Sequence, residues 1–525
     1  MEWSQTPLRI TESTPENLSE PTLPSGPLVD AFGQSTVHEW EQRSESRDEI
    51  TERLRRQYET AADASWPERF SRWGGDRTCQ FESTGFFRTT HDGDRWWFVD
   101  PDGHPFVSVG MNCVRPRVQS CYDNLRNALT RIPDPETVGW EIHDQDEKRI
   151  NHLADNFWHA FGDDWHKNWQ DITEAFLRET GFNTIGNWSN QELIQECDIP
   201  YVRTLDPSYE RVPTIYRGFP DVYHDEFSAE AASIAEPLVE TRDDPALLGY
   251  FLENEPVWIF GDKCPAAGML YNTEQCASRA VLVTELRKKY GDSRSLSDAW
   301  NVDVTFSEVE TGRWKRPLTD TAREDLKEFS TKMVDRLYGV LSEECRKNDP
   351  NHLNLGVRYI LLPPEWAEPS LKHFDVITSV SYLEQLPVEQ YRAMSERYEL
   401  PILVGEWHFG ALDVGLPAYG ICQASGQAGR ASAYRKYIEH ATSQPWCVGT
   451  HYFELYDQSP IGRFDGENYN IGFLDVCNNP YEELVTAARK SNGAVYELAN
   501  GEREPYSESN TLLTHLFPQL NLMPD

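Results

Sequence analysis

The chain has 525 residues, with 86 Asp or Glu against 49 Lys or Arg, and a formal charge of −37. Its 39% hydrophobic content, with 17 Trp, 23 Tyr and 23 Phe, supplies a large core and excludes a disordered acidic chain. The charge repels phosphate backbones and anionic membranes, and no basic stripe interrupts it, so neither nucleic acid nor a membrane surface is an expected partner.

The basic residues divide into 12 Lys and 37 Arg. A carboxylate-dense, lysine-poor surface stays hydrated in concentrated salt, where screening removes most of its self-repulsion, and this predicts a haloadapted protein. The ten cysteines form no CxxC pair and no metal-ligand spacing. The first twenty residues carry neither a basic start nor an apolar stretch, and no run reaches the roughly 18 apolar residues of a membrane span. The expectation is a cytoplasmic protein without cofactor or metal.

In chain order, residues 1–84 are Pro- and Ser-rich, then helical over RDEITERLRRQYETAA, and read as an N-terminal arm laid on something else. From residue 85 aromatic and polar residues alternate around two turn signals, Asp92-Gly93 and Asp102-Gly103, a hairpin leading into VSVGMN. Short apolar strands then recur at 107–112, 183–189, 201–207, 247–256, 353–360, 375–383, 401–410 and 447–457. Helical patterns such as WQDITEAFLRETG and EDLKEFSTKMVDRLYGVLSEECRK separate them, each stopping near Gly or an Asn/Asp-Pro pair. Eight strands with crossovers predict an α/β chain, a (β/α)8 TIM barrel over 85–495 with long βα loops. Insertions fall near 114–165 and 257–275, and residues 496–525 read as a C-terminal tail. A doubly wound open sheet is the alternative, but no GxGxxG or P-loop follows any strand.

Functional side chains of such barrels gather where strands end. Glu255 ends the fourth predicted strand in FLENEP and Glu406 the seventh in LVGEWHFG. Most glutamates of so acidic a chain are solvated surface charges. These two terminate apolar runs, where a carboxylate is costly unless paired or used. Paired carboxylates suit glycoside hydrolysis, in which one donates a proton to the leaving oxygen and the other attacks the anomeric carbon. A metal-dependent hydrolase would need His/Asp clusters such as HxH, and none is present. Asp465, Glu467 and Asn468 lack the spacing of a Ca²⁺ loop.

Asn-Glu ending the fourth strand and Glu ending the seventh resemble the signature of clan A retaining glycoside hydrolases. The segments FVDPDGHPFVSVGMN, GFNTIGNWSN, GEWHFGALDVG and HYFELYDQSPIGRFDGENYNIGFLDVCNNPYEELVTAAR, in this order, are similar to glycoside hydrolase family 50, the β-agarases. The resemblance covers roughly residues 85–490. It implies Glu255 as acid/base and Glu406 as nucleophile of a retaining β-glycosidase. The expected substrate is an agar-type or related galactose-containing oligosaccharide or polysaccharide, cut from its end. Another clan A β-galactosidase or β-glycanase and a non-catalytic carbohydrate-binding barrel are the alternatives, and a homo-oligomer is compatible with the composition.

On the same logic Asn254 is expected to bond a sugar 2-hydroxyl, and Tyr382, ending the sixth strand, to bond and orient Glu406. Trp188 and Trp407 are candidates to stack on sugar faces. Asn112, Asn187 and His408 are candidate hydroxyl binders, and Arg358 is expected to pair with a carboxylate of the site. Tyr452 is a further candidate sugar contact, and Glu454, on the same strand face, is a candidate ligand-binding acid.

Overall fold

A computed structural model describes residues 26–508 and 512–515, apart from 123–124, 135–136 and 143–147. At its centre is a curled, all-parallel sheet of ten segments. They are β1 (Ser108–Met111), β2 (Thr184–Ile185), β3 (Tyr201–Thr204), β4 (Leu247–Phe251) and β5 (Glu253–Asn254). The second half comprises β6 (Leu353–Asn354), β7 (Val357–Ile360), β8 (Ile377–Val380), β9 (Ile402–Trp407) and β10 (Cys447–Tyr452).

Hydrogen bonding runs in the order β5-β7-β8-β9-β10-β1-β2-β3-β4-β6. The two ends of that order are interrupted strands. β5 resumes one residue after β4, and β7 follows β6 after two. β4 pairs with β6 through Gly249 opposite Leu353, and β5 with β7 through Asn254 opposite Arg358. The strands are apolar without strict alternation, and all six residues of both β9 and β10 are buried. That is the signature of strands covered on both faces, by helices outside and side chains within.

The crossovers supply the helices. α1 (Arg47–Ala61) lies in the N-terminal arm, α2 (His152–Phe161) and α3 (Trp165–Thr180) follow β1, and α4 (Asp320–Asn348) precedes β6. α5 (Gln427–Thr442) joins β9 to β10, and α6 (Glu482–Gly493) follows β10. Local chemistry sets their ends. Ser46, Asn151 and Thr319 accept from backbone N–H groups of the first turns of α1, α2 and α4, and Arg346 and Lys347 occupy the last turn of α4.

The insertion after β1 forms a three-stranded antiparallel sheet (Gln119–Cys121, Trp140–Ile142, Lys148–Asn151). The arm is tied down by specific bonds. Arg47 donates to Asn156 at 2.7 Å and pairs with Asp155 at 3.2 Å, and Gln57 donates to the Asn478 carbonyl at 3.1 Å. Trp40 lies where a Cβ on Gly415 would fall, so the arm reaches the loop that leaves β9. No helix among the described residues is long and apolar enough to cross a membrane.

Candidate active site

The C-terminal ends of β5, β7, β8 and β9 converge on one cluster of polar side chains. Arg358, in β7 and without solvent exposure, is its hub. Its Nη1 donates to Asn254 Oδ1 at 2.8 Å; its Nη2 donates to Glu406 Oε2 at 2.7 Å and to the Gly405 carbonyl at 2.6 Å. Gly405 makes this approach possible, because a Cβ there would stand 2.8 Å from Thr378 and 3.0 Å from Arg358 Nε. Tyr382 Oη donates to the other carboxylate oxygen of Glu406. Burial, with the Glu406 charge beside it, pushes the Tyr382 hydroxyl well above its ordinary range, so it stays a donor at neutral pH.

Glu255, the residue after β5, lies within electrostatic reach of Glu406 and Arg358. Its backbone has φ 41°, the left-handed region that costs a non-glycine residue on the order of 1 kcal/mol, and its N–H donates to the Arg358 carbonyl at 3.1 Å. Burial first, and then the negative charge of Glu406, push its carboxyl up to about 7, against a partial offset from Arg358; Glu467 adds to the rise. One carboxyl of the pair is therefore disposed to hold a proton near neutrality, while the other is ion-paired to a buried guanidinium.

Trp188, with φ 59°, lays its ring 4.9 Å from the Arg358 guanidinium carbon and donates from Nε1 to Asp206 at 3.3 Å. Asn187 is buried with neither amide atom hydrogen-bonded, a polar group without an internal partner. Glu454 is buried and bound by Gln458 Nε2 at 3.0 Å and Arg463 Nη1 at 3.5 Å.

Four of the expected sugar contacts are corrected by the packing. Trp407 is 1% exposed and its ring is stacked on Tyr437 at 4.2 Å, with Tyr434 and Tyr452 against it, so no face is open to a sugar. Tyr452 is equally buried, its single hydroxyl proton lying between the carbonyls of Ile471 at 2.9 Å and Phe409 at 3.1 Å. Asn112 is committed to backbone: it donates to the Gly405 carbonyl at 3.0 Å and accepts from Asn187 N–H at 2.9 Å. His408 accepts from Ile421 N–H at 2.9 Å and packs on Tyr382 at 4.6 Å; burial pushes it down to about 3, so it is a neutral buttress.

Other participants escaped the sequence reasoning. Glu253, two residues before Glu255, accepts from Tyr338 at 2.8 Å and is raised to about 7 by burial. The loop after β10 is organised by Arg463, which pairs with Glu454, Asp465 and Glu467. Asp465 and Glu467 are thus engaged by a guanidinium. Among the described residues no group of three or more His, Cys, Asp or Glu is arranged to hold a metal ion.

Comparison with known proteins gives the cluster a context. No family model matches the chain. It is 26% identical over 524 residues to beta-agarase B of Vibrio sp. (strain JT0107), covering 90% of this chain and 55% of the relative. To beta-agarase A of the same strain it is 25% identical over 561 residues, covering 94% and 55%. The chain therefore spans about half the length of the curated relatives it matches. Among solved structures, an agarase, AgWH50C, is 26% identical with TM-score 0.81, covering 90% of this chain and 74% of that one. An exo-beta-agarase shares the fold with TM-score 0.83 at 24% identity, covering 91% and 75%.

Proposed function

We propose that this chain is a retaining β-glycoside hydrolase of the agarase type, built on a closed eight-stranded (β/α)8 barrel. In this reading β4 with β5, and β6 with β7, each form one interrupted barrel strand, and the substrate is an agar-type galactose oligosaccharide cut from its end. The observation that carries it is the asymmetry of two neighbouring carboxyls: Glu255 raised to about 7 by burial and by Glu406, and Glu406 held against Arg358 at 2.7 Å. The similarity to beta-agarases of Vibrio sp. and to the agarase AgWH50C supports the choice of substrate.

The chemistry follows from the roles. Glu406 Oε attacks the anomeric carbon while Glu255 gives its proton to the leaving glycosidic oxygen, forming a glycosyl-enzyme ester and a free alcohol. Glu255, now ionised, takes a proton from water as that water attacks the anomeric carbon; the bond from that carbon to Glu406 breaks, the sugar leaves, and both carboxyls return to their starting states. Arg358 and Tyr382 occupy both oxygens of Glu406 and hold the attacking carboxylate in one orientation. Asn254, fixed by Arg358, faces the sugar 2-hydroxyl in this scheme, where a hydrogen bond strengthens as the oxocarbenium character develops. The unpartnered amide of Asn187 and the ring of Trp188 are assigned to the same sugar.

The test is to incubate the protein with agaro-oligosaccharides of defined length in high salt, size the products and follow the anomeric configuration of the first product by NMR. Disaccharide release with retained β configuration is expected. A ladder of products overturns end-wise cutting, inversion overturns the nucleophile, and the absence of any product overturns the substrate class.

A further inference from the structure

Among the described residues, seven large apolar side chains stand exposed, and four of them lie on loops beyond the strand ends that carry the two glutamates or the neighbouring β10. Val257 and Phe260 follow β5, Leu412 follows β9 and Phe464 follows β10. Phe464 is the most exposed, at 62%. A single exposed apolar residue is ordinary, but the setting of this one is not.

Phe464 sits at the tip of a tight turn. Arg463 N–H donates to the Glu467 carbonyl at 2.9 Å, and Gly466 N–H to the Arg463 carbonyl at 3.0 Å. The Arg463 guanidinium clamps the turn from beneath, meeting both oxygens of Asp465 at 3.0 Å, Glu467 at 2.6 Å and Glu454 at 3.5 Å. Gln458 Nε2 crosses the same gap, donating to Glu454 at 3.0 Å and to Glu467 at 2.9 Å. Loop tips with exposed apolar residues usually move; this one is held by several charge-assisted bonds that converge on the largely buried Arg463.

The turn is also coupled to the reaction centre. The Arg463 guanidinium carbon lies 5.3 Å from the ring centre of Phe464 and 5.4 Å from that of Phe453. Phe453 meets Trp188 at 6.2 Å and His408 at 6.3 Å; these in turn contact Arg358 at 4.9 Å and Tyr382 at 4.6 Å, the two residues that hold Glu406. Phe464 therefore belongs to a loop packed against the residues that hold Glu406, and Glu467 of that loop is close enough to Glu255 to act on its carboxyl. A second guanidinium, from Arg149, lies 5.7 Å from its ring centre.

We propose that Phe464 is an outer sugar-binding platform, on which an uncharged pyranose unit of the chain stacks beyond the sugars flanking the cleaved bond, with Asp465 and Glu467 accepting from its hydroxyls. The inference rests on the glycosidase reading above and names a subsite of that cleft. An exposed aromatic ring gains by covering the C–H face of a pyranose, and a ring carried on a backbone turn already held in place loses less entropy on binding. The flanking carboxylates, each about one third exposed, are acceptors that match neutral hydroxyls and repel anionic sugars.

The experiment compares kcat/KM of the wild type, F464A and F464W on agaro-oligosaccharides from four to ten sugars. For the wild type kcat/KM is expected to rise with length. F464A should lose about five- to tenfold on the longest chain and nothing on the shortest one cleaved, and F464W should keep the rise. An equal loss at every length, or an unchanged length dependence, overturns the platform. So does a fall in molar mass of F464A by light scattering, which would make the rim an interface with a second copy of the chain. A wild type that cleaves none of these chains strikes the glycosidase reading itself. The subsite is then decided by calorimetric affinity for the longest chain, which F464A must weaken by the same factor.

Discussion

The outer helices and the strand-end cleft handle the same side chain in opposite ways. On the surface Glu285 accepts from Lys288 at 2.6 Å and from Lys332 at 2.7 Å, and these bonds, with little desolvation against them, hold its carboxyl down to about 2. In the cleft, burial and a neighbouring carboxylate push Glu255 up to about 7. The surface acids are made harmless by water and a flexible cation, and such pairs contribute only about 0–1 kcal/mol each. In the cleft the cation is Arg358, itself buried, so each charge there depends on its partner and removing one strands the other. The same residue type is therefore solvated and neutralised outside, and buried with its charge dependent on a single guanidinium inside.

Removing the proposed nucleophile tests the inner region most severely. Glu406→Ala is expected to lower kcat on the order of 10⁴-fold or more, and azide should restore part of it as an α-configured glycosyl azide detectable by NMR. Full activity would end the assignment. Glu255→Gln should cost on the order of 10³-fold on substrates whose leaving group needs a proton, and little in the first step for an activated aryl glycoside. Its pH profile is the sharper measurement. The wild-type acid must be protonated, so activity should fall as pH rises through about 7, and this alkaline limb should vanish in the variant. A limb that persists in Glu255→Gln belongs to another group.

Arg358→Met breaks the inner pair from the other side. It leaves Glu406 charged and buried and Asn254 Oδ1 without its donor, so a loss of about 3–5 kcal/mol in unfolding free energy is expected along with turnover. A variant with wild-type stability would show that the cleft tolerates its charges as the surface does. Glu253 separates burial from catalysis, since it is also raised to about 7 but donates to no substrate in the proposed scheme. A carboxyl raised by folding favours the native state fully below the unfolded value of about 4.5, and that advantage is lost as pH climbs through about 7. Glu253→Gln should therefore match the wild type near pH 4 and exceed it by on the order of 3 kcal/mol at pH 8, by chemical denaturation at both pH values. Equal stability at pH 8 would mean that water reaches Glu253 in the native state.

That Glu255 and Glu406 lie near one another was legible because each ends an apolar run, a pattern visible without neighbours. The parallel α/β architecture was legible for the same reason, from strands and crossovers in alternation. Trp407 and Tyr452 were misjudged although a local rule speaks to them. Side chains alternate along a strand, so with Glu406 pointing inward its neighbour Trp407 points out toward α5, where Tyr434 and Tyr437 cover it. The contact of Arg358 with Asn254 was beyond local rules. It depends on pairing across 104 residues, Asn254 opposite Arg358, and on the break between β4 and β5 that sets this register. The Arg463 clamp is equally opaque, since nothing in GRFDGEN says which of its charges turn inward. Local patterns show where a strand ends, and pairing over long separations decides what meets there.

Salt makes the smallest effects distinguishable. With 37 Arg, 12 Lys and a charge of −37, the folded surface repels itself, and shortening the Debye length from about 10 Å at 0.1 M to about 3 Å at 1 M should raise the melting midpoint by relieving that repulsion. The same screening should erase individual surface pairs. Lys332→Ala is expected to cost less than about 1 kcal/mol at 0.1 M KCl and nothing measurable at 1 M, because its partners Glu285 and Glu328 are solvated. The cost of Arg358→Met should persist at both concentrations, since ions do not enter the space between Arg358 and Glu406. A midpoint indifferent to salt would remove haloadaptation as the reason for the acidity. A Lys332→Ala cost that survives at 1 M would mean that the outer pairs are structural in the way the inner one is, and the division between solvent-facing and reacting carboxylates would then have to be drawn elsewhere.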